Sequence, residues 1–416
     1  MRTMAEKVYS IIEVARQNGK WGYSDINFSA GRTPDSPEAD GGPVGPMWRQ
    51  VSPAAIASSG LAAAGSVEDL RRVYYQEPAR SLVGMAYEPP PDGRWVGYRV
   101  FTTEIGAPSA EVGSALAVTG QIGGLRVYYL ADGQVEGGRR LVRLEERSEG
   151  WTCAMCADSP RASLISPLAA ITTEQGEYAY YVDARSHVIE ASWLGVEGWS
   201  VKDVTSDVDG CPVPSSLSRL TAAGYGSDFR FVYFLDENNS PVQLEHTVVV
   251  GTKKKPEGSV AWQVRSLSVY GAPAAAAGSR LAVVLTADGH PQLYYLDADR
   301  MVVEVGFNGR GWDVDHVGVD ADEGAGAPSA ADGSSLAAVA GADRSATQVY
   351  YLGAADRGAE PPDSDNNLME LRRHGDKWTS RCLGAELDLP DVATAVPSPI
   401  TALYTSGPRV YYVSEE

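Results

Sequence analysis

The residues best suited to metal or redox chemistry are scattered along this chain of 416 residues. Cys153 and Cys156 form a Cys-x-x-Cys pair without a surrounding βαβ pattern, while Cys211 and Cys382 are isolated. Thiol redox centres and zinc sites need partners at a short, regular spacing. The five histidines, which also lack ligand spacing, are His187, His246, His290, His316 and His374. The sequence therefore predicts no metal site and no cofactor.

Motifs for nucleophilic or phosphate chemistry are also missing from the sequence. It contains no Gly-x-Ser-x-Gly, no His-Glu-x-x-His and no phosphate-binding glycine loop. The acidic segment 318–324, "GVDADEG", lacks the ligand spacing of a calcium loop. If the protein is an enzyme, we expect it to be neither a hydrolase nor dependent on a cofactor.

Aromatic residues, glutamates and tryptophans recur instead with a period of about 50 to 60 residues, near that of propeller repeats. Each unit has a proline followed by small residues, then an aromatic strand, then in most units an apolar segment with Glu, and finally a Trp. The aromatic pairs are Tyr74-Tyr75, Tyr128-Tyr129, Tyr180-Tyr181, Tyr233-Phe234, Tyr294-Tyr295, Tyr350-Tyr351 and Tyr411-Tyr412. The closing tryptophans are Trp95, Trp151, Trp199, Trp262, Trp312, Trp378 and Trp21.

The last repeat is divided between the two ends of the chain. "KVYSIIEVARQNGKW", which ends at Trp21, contains the Glu and Trp parts, and "SPITALYTSGPRVYYVSEE" at the C-terminus contains the parts that should precede them. Pairing the two ends closes a ring and removes the open edges of a linear array. The sequence therefore predicts an all-β fold. We expect a single seven-bladed β-propeller with about four antiparallel strands per blade, and six blades is the alternative.

The whole chain, 1–416, is expected to form this one domain. The predicted blades span residues 52–100, 107–158, 166–205, 213–268, 272–320, 327–383, and 394–416 completed by 6–27. Residues 28–51, rich in Gly and Pro, are predicted to connect the split blade to the first complete one.

The repeat resembles that of the fungal fucose-specific lectins of the Aleuria aurantia type. Their units run Arg-Val-Tyr-Tyr, a Gly turn, Ile-x-Glu and Gly-x-Trp. That family has six blades, so seven is a departure, although related bacterial fucose lectins have seven. The resemblance implies that an Arg and a Glu bind sugar hydroxyls, while an aromatic ring covers the apolar face of fucose.

Carried over residue by residue, the resemblance leaves one complete set of sugar-binding residues in the split blade, namely Arg409, Glu13 and Trp21. The other blades lack part of the set, as where Gly84 replaces a Glu and Tyr178 replaces an Arg. Their weaker candidates are Arg72, Arg126, Glu190, Glu304 and Glu370.

A purely structural interpretation of the same residues stays open. Arg409 and Glu13 would then form an ion pair between blades. The tyrosine pairs would pack blade against blade, and the tryptophans, Trp21 included, would fill the outer strand ends.

Three functions are compatible with these patterns. The first is carbohydrate binding by a fucose-lectin-like propeller with few intact sites. The second is a pericyclase, because the hetero-Diels–Alderases of fungal secondary metabolism resemble propellers of this type. Joining a tropolone quinone methide to a sesquiterpene needs only a pocket that aligns two reactants and one or two hydrogen-bond donors. The third is a scaffold for protein partners.

Charge narrows the range of partners. The net charge of −19 disfavours nucleic acids and anionic membranes, and no run of 18 apolar residues predicts a membrane span. The expected ligand is a glycan or another small molecule, with the oligomeric state left open. The N-terminal sequence has charged residues where a secretory signal needs an apolar run, which favours a cytoplasmic or unconventionally secreted protein.

Overall fold

The computed structural model confirms the all-β architecture. It describes residues 9–17, 20–27, 55–56, 59–66, 68–89, 93–100, 105–120, 123–132, 139–227, 229–248, 260–317, 327–341, 346–354, 368–375, 377–390 and 399–415. These residues form seven antiparallel sheets of four strands each. The predicted connection 28–51 lies outside the described residues.

The seven sheets are the blades of a propeller, and each position within a blade is occupied by an equivalent strand. Blades 1 to 6 follow chain order from residue 61, and blade 7 is the split one. The first strands are β3 (Leu61–Gly65), β7 (Ala117–Thr119), β11 (Leu168–Thr172), β15 (Thr221–Tyr225), β19 (Ala282–Leu285), β23 (Leu336–Ala340) and β27 (Ile400–Tyr404). The second strands are β4 (Arg71–Gln76), β8 (Arg126–Leu130), β12 (Glu177–Val182), β16 (Phe229–Leu235), β20 (Pro291–Leu296), β24 (Thr347–Leu352) and β28 (Pro408–Glu415).

The third and fourth strands lie farther from the axis. The third strands are β5 (Leu82–Glu88), β9 (Leu141–Arg147), β13 (Val188–Trp193), β17 (Pro241–Val248), β21 (Val302–Phe307), β25 (Leu368–His374) and β1 (Tyr9–Gln17). The fourth strands are β6 (Arg94–Val100), β10 (Gly150–Met155), β14 (Trp199–Asp203), β18 (Val260–Ser266), β22 (Trp312–His316), β26 (Lys377–Cys382) and β2 (Lys20–Asp25). Short helical turns lie at Gly195–Glu197, Val204–Asp207, Leu267–Tyr270 and Leu383–Leu387.

The ring closes through blade 7, as the sequence predicts. β1 pairs with β28 over seven residue pairs, from Tyr9 opposite Glu415 to Ala15 opposite Arg409. Each first strand also contacts the first strand of the next blade, and β27 contacts β3. The seven first strands therefore surround a common axis. The hydrogen bonds between β1 and β28 join the two ends of the chain within a single sheet.

The two adjacent rings of each second strand have different roles. In blades 2, 3, 5, 6 and 7 the hydroxyl of the second ring donates to a proline carbonyl in the segment before the first strand, as from Tyr351 to Pro328 at 2.7 Å. The first ring meets the fourth-strand Trp of the following blade edge to face, with centroids 6.1 to 6.5 Å apart. Such pairs are Tyr74–Trp151, Tyr180–Trp262, Tyr294–Trp378, Tyr350–Trp21 and Tyr411–Trp95. Aromatic packing therefore joins consecutive blades.

In blades 1 to 6 a serine just before the first strand fixes that strand to the second one. Its hydroxyl accepts from a backbone N–H near the end of the second strand and donates to the next carbonyl. In blade 6, Ser334 Oγ lies 2.9 Å from both the nitrogen of Leu352 and the oxygen of Ser335. The equivalent serines are Ser59, Ser114, Ser166, Ser218 and Ser279. Among the described residues, no helix is long and apolar enough to cross a membrane.

Candidate binding clefts between the blades

The contact zones between consecutive blades, which we call seams, contain the charged residues of the repeat. In each blade one third-strand residue pairs with the first ring of the second strand, and we call it the seam position. The seam positions of blades 1 to 7 are Gly84, Arg143, Glu190, Gln243, Glu304, Glu370 and Glu13. Strand register therefore places the first Tyr of the second strand opposite a Glu in blades 3, 5, 6 and 7.

The seam position of one blade is matched by a residue of the following blade. This counter-position lies three residues before the first ring of that following blade. The counter-positions of blades 1 to 7 are Arg71, Leu125, Glu177, Arg230, Pro291, Thr347 and Pro408. Three seams combine opposite charges, and the seam between blades 1 and 2 combines Gly84 with Leu125. The remaining three seams place a Gln or Glu against Pro or Thr.

The seam between blades 7 and 1 is closed by a buried ion pair. Arg71 Nη1 donates to Glu13 Oε1, which also accepts from the Tyr411 hydroxyl at 2.9 Å. The Arg71 guanidinium stacks on the ring of Tyr87, 3.3 Å from its centroid. Burial opposes the charge on Arg71, but the nearby Glu13 outweighs it and raises the pKa of Arg71. The Glu13 carboxylate thus has hydrogen-bond donors within the protein.

Arg409, the first predicted sugar ligand, belongs to the same buried network. Its Nη1 lies 3.5 Å from Glu13 Oε1, and its other nitrogens contact Asp69 at 2.7 Å and Thr405 at 2.9 Å. Arg409 and Glu13 are only 0% and 5% exposed. A sugar could reach Arg409 only after this network had opened.

The seam between blades 2 and 3 is also closed, with its charges reversed. Arg143 on the third strand makes a bidentate pair with Glu177 of the next blade, at 2.8 and 3.1 Å. Arg126, another predicted candidate, contacts Glu177 at 2.7 Å and Glu145 at 3.1 Å. Bidentate pairs of this kind fix geometry as well as charge. Arg126 therefore serves the ion cluster rather than an open pocket.

The seam between blades 3 and 4 is closed by Glu190 and Arg230, 3.3 Å apart. The Tyr180 hydroxyl donates to Glu190 at 2.8 Å, and Arg230 lies 4.0 Å from the ring centroid of Tyr178. Burial raises the pKa of Glu190, although the charge of Arg230 acts in the opposite direction. The predicted candidate Glu190 thus contacts protein groups on both sides.

The seam between blades 4 and 5 opens into a cleft of about 220 Å³. Arg265 and Glu245 form an ion pair at 3.2 Å on its floor. Gln243 donates to the Tyr233 hydroxyl at 2.7 Å, while its own buried side-chain oxygen accepts from none of the described residues. Burial raises the pKa of Glu245, and the charge of Arg265 counteracts it. The floor therefore offers both donors and acceptors.

Aromatic rings from both blades form the walls of this cleft. Tyr225 stacks on Phe229 with centroids 4.8 Å apart, and Phe307 and Trp312 of blade 5 lie 5.5 Å from each other. Gly289, at φ +79°, keeps its side free, since a Cβ there would lie 2.8 Å from the Tyr225 ring. The glycine thus permits the ring of one blade to lie on the turn of the next.

The next two seams carry clefts of opposite charge. Between blades 5 and 6 the predicted candidate Glu304 pairs with Arg373 at 2.8 Å. This cleft of about 300 Å³ also contains Asp288, Asp313 and Asp315. Glu304 accepts in addition from the Tyr294 hydroxyl at 3.2 Å, and burial raises its pKa against the influence of Arg373. The cleft has an excess of carboxylates.

The cleft between blades 6 and 7 is basic, with a volume of about 540 Å³. The predicted candidate Glu370 lies there with Arg16, Arg372 and Arg381. Burial raises the pKa of Glu370, whereas the charges of the three arginines act to lower it. Burial and two of these arginines lower the pKa of His374 at the rim. This cleft therefore has a local surplus of positive charge.

The structure brings two of the three predicted sugar ligands of blade 7 to one cleft. Glu13 and Trp21 both line a cleft of about 340 Å³ along β1 and β2, and Arg409 does not line it. Trp21 pairs with Arg16 across β1 and β2, and successive residues of a strand point to opposite faces. Trp21 therefore faces Tyr350 of blade 6, with centroids 6.5 Å apart, whereas Glu13 faces blade 1. The remaining candidate, Arg72, donates from Nη1 to the carbonyl of Arg71 at 3.1 Å.

Sequence reasoning missed the partner of each seam glutamate because that partner lies on the following blade. The partners are 40 to 69 residues away along the chain, so local spacing does not reveal them. The separations are 58 residues for Glu13 and Arg71, 40 for Glu190 and Arg230, and 69 for Glu304 and Arg373. One signal was present: wherever Arg or Glu stands three residues before the first Tyr, the seam position of the preceding blade has the opposite charge.

Comparisons with known proteins give only distant likenesses to solved structures. No family model matches it, and no curated protein matches it. Solved structures that it resembles include the SapL1 lectin in complex with alpha methyl fucoside, at 17% identity over 77% of this chain and 94% of the lectin, with a TM-score of 0.49. AofleA from Arthrobotrys oligospora has 15% identity over 78% and 87% of the two chains, and a TM-score of 0.49.

The lectin of Aleuria aurantia, a six-bladed propeller, has 20% identity over 72% of this chain and 88% of its own, with a TM-score of 0.44. Identities of 15 to 20% express a likeness of fold alone. The seven-bladed fold of this chain therefore rests on its own strand pairing.

Proposed function

We propose that the protein is a carbohydrate-binding β-propeller and that the cleft between blades 4 and 5 is its main sugar site. One observation carries this proposal. The cleft joins the Arg265–Glu245 pair to aromatic rings from both blades. The seams that contain Arg409, Arg126 and Glu190 are filled by their own ion pairs.

The chemistry of the cleft suits a sugar ring. Arg265 has several donors in a fixed planar arrangement, and Glu245 and Gln243 accept from hydroxyls. The ring faces of Phe307 and Trp312 can cover an apolar C–H patch. A volume of about 220 Å³ is less than the ~300–1,000 Å³ of drug-sized ligand sites. It favours one sugar ring over the two reactants of a pericyclic addition.

L-Fucose is the first sugar to test, because the repeat resembles that of fucose-specific lectins. We would titrate the protein with methyl α-L-fucoside by calorimetry and screen it on a glycan array. Arg265→Ala should weaken binding by about ten- to a hundredfold, since a charged hydrogen-bond donor to the sugar is lost. Arg373→Ala, which breaks the Arg373–Glu304 pair in the next seam, should leave binding unchanged.

Other outcomes would decide against this assignment. If Arg409→Ala abolishes binding in a folded protein while Arg265→Ala does not, the sugar site is the seam between blades 7 and 1. If the wild-type protein ignores every glycan at millimolar concentration, carbohydrate binding is wrong. Circular dichroism of each variant separates lost binding from lost structure.

A further inference from the structure

The first strands of blades 4, 5 and 6 begin with polar side chains that have no partner among the described residues. The residue directly after the anchoring serine is Arg219 in blade 4, Arg280 in blade 5 and Ser335 in blade 6. No hydrogen bond or ion pair of the described residues reaches either guanidinium. Ser335 is 0% exposed, and its hydroxyl also has no partner there. Buried polar groups of this kind normally have partners.

These three residues occupy the same structural position. In every blade from 1 to 6 the preceding serine makes the same hydrogen bond to the carbonyl of this residue, as Ser218 does to Arg219 at 3.0 Å and Ser279 to Arg280 at 3.1 Å. The other blades carry small or apolar residues at this position, namely Gly60, Ala115, Pro167 and Pro399. The unpartnered donors are therefore confined to three consecutive blades.

The position lies where first strands meet around the axis. At Gly60 in blade 1, an added Cβ would lie 2.5 Å from the carbonyl oxygen of Ser114 in blade 2, so this position is directed at the next first strand. By the same geometry Arg219 is directed toward blade 5, which carries Arg280, and Arg280 toward blade 6, which carries Ser335. The two half-buried arginines lie close enough for their charges to interact.

Two like charges without a counter-charge are unfavourable in a partly buried place. Burial and the charge of Arg219 lower the pKa of Arg280 to about 10, which still leaves both guanidiniums charged at neutral pH. The rest of this protein carries a strong excess of negative charge, with a net value of −19. The guanidiniums of Arg219 and Arg280 only donate hydrogen bonds, so they suit a ligand that only accepts them.

We propose that Arg219 and Arg280 form a binding site for an oxyanion, such as a phosphate, sulfate or carboxylate group, at the axial ends of the first strands of blades 4 and 5. The planar guanidiniums would each donate two parallel hydrogen bonds to the anion. The site is separate from the sugar cleft and does not depend on it.

Calorimetric titration with sodium sulfate and sodium phosphate, against sodium chloride at equal ionic strength, tests the site. The wild-type protein should bind an oxyanion in preference to chloride. Arg280→Gln and Arg219→Gln should each weaken binding by about ten- to a hundredfold, because one charged hydrogen-bonding group is lost. Ser335→Ala should have a smaller effect. Arg161→Gln, an exposed arginine of blade 3, and Arg265→Ala in the sugar cleft should both bind like wild type.

The variants also report on folding. Arg280→Gln removes a charge repulsion, so in anion-free buffer it should be at least as stable as the wild type.

Tighter binding of glucose 6-phosphate than of inorganic phosphate would assign the site to a phosphate group on a larger molecule. Equal binding would assign it to the free anion. The proposal is overturned if sulfate and phosphate bind no better than chloride, or if Arg161→Gln weakens binding as much as Arg280→Gln does.

Discussion

At the scale of single residues, complementary charges at the seam position and the counter-position join consecutive blades. Glu13 meets Arg71 and Arg143 meets Glu177, each in a buried ion pair. Pro291 stands where such a partner is missing, and an open cleft lines that seam. Substituting one side of a buried pair leaves a charge without compensation, whereas an exposed pair contributes little.

Arg230→Met tests this difference. It leaves Glu190 buried without its ion pair, and we expect a loss of roughly 3–5 kcal/mol in the free energy of unfolding at pH 7–8. Burial already raises the pKa of Glu190, and removal of Arg230 raises it further. The folded variant therefore binds a proton more readily than the unfolded chain, so the loss should shrink as the pH falls toward 5. Urea unfolding at several pH values measures this.

Two controls accompany this variant. The double variant Glu190→Gln, Arg230→Met removes both charges and should recover much of the lost stability. Arg94→Met removes an ion pair with Glu88 whose side chains are 52% and 47% exposed, and should cost less than about 1 kcal/mol. Equal losses for Arg230→Met and Arg94→Met would refute the role of the buried pair.

At the scale of strands, each blade depends on the serine that joins its first strand to its second. Ser334→Ala leaves the backbone N–H of Leu352 without its acceptor, and we expect a loss of about 1–3 kcal/mol in unfolding free energy. Ser200→Ala, at an exposed position on β14, is the matched control and should cost almost nothing. Thermal and urea unfolding measure both. A loss no larger than that of the control would show that the serine does not anchor the strand.

Strand-level features were also the most predictable from sequence. The spacing of the aromatic pairs and tryptophans indicates seven blades and a split one, because each feature belongs to one strand. Side-chain partners were less predictable. The sequence grouped Trp21 with Glu13, and both line one cleft, but the register of β1 and β2 places Trp21 opposite Arg16, with its ring against Tyr350 of blade 6. The cleft between blades 4 and 5 could not be predicted, because Arg265 and Trp312 are far apart in the sequence and are close only in the folded structure.

At the scale of the whole molecule, the ring is closed by backbone hydrogen bonds within blade 7 and by side-chain packing at the seams. The order of strands in blade 7 has two from each end of the chain. If the chain termini lay between two intact blades, only side-chain packing would close the ring. If the termini lie inside one blade, backbone hydrogen bonds between its strands close the ring. The first arrangement exposes strand faces more easily on opening.

Two circular permutants separate these cases. Both join Glu416 to Met1 through the same flexible linker. One begins at Gly210, between blades 3 and 4, and the other begins at Asn238, in the exposed turn between β16 and β17 of blade 4. The second divides blade 4 into two strands from each end, as blade 7 is divided in the native chain. We expect it to unfold near the wild-type urea concentration.

The permutant that begins at Gly210 should fold, because every blade is intact, but it should be less stable by at least about 2 kcal/mol. Its closure lacks the backbone bonds of a shared blade, each of which contributes roughly 0.5–1.5 kcal/mol. Urea unfolding followed by tryptophan fluorescence compares the two, and limited proteolysis reports opening at the termini. If the Gly210 permutant is as stable as the Asn238 permutant, packing and the Glu190–Arg230 pair are sufficient to close the ring, and the pairing of β1 with β28 has no special role.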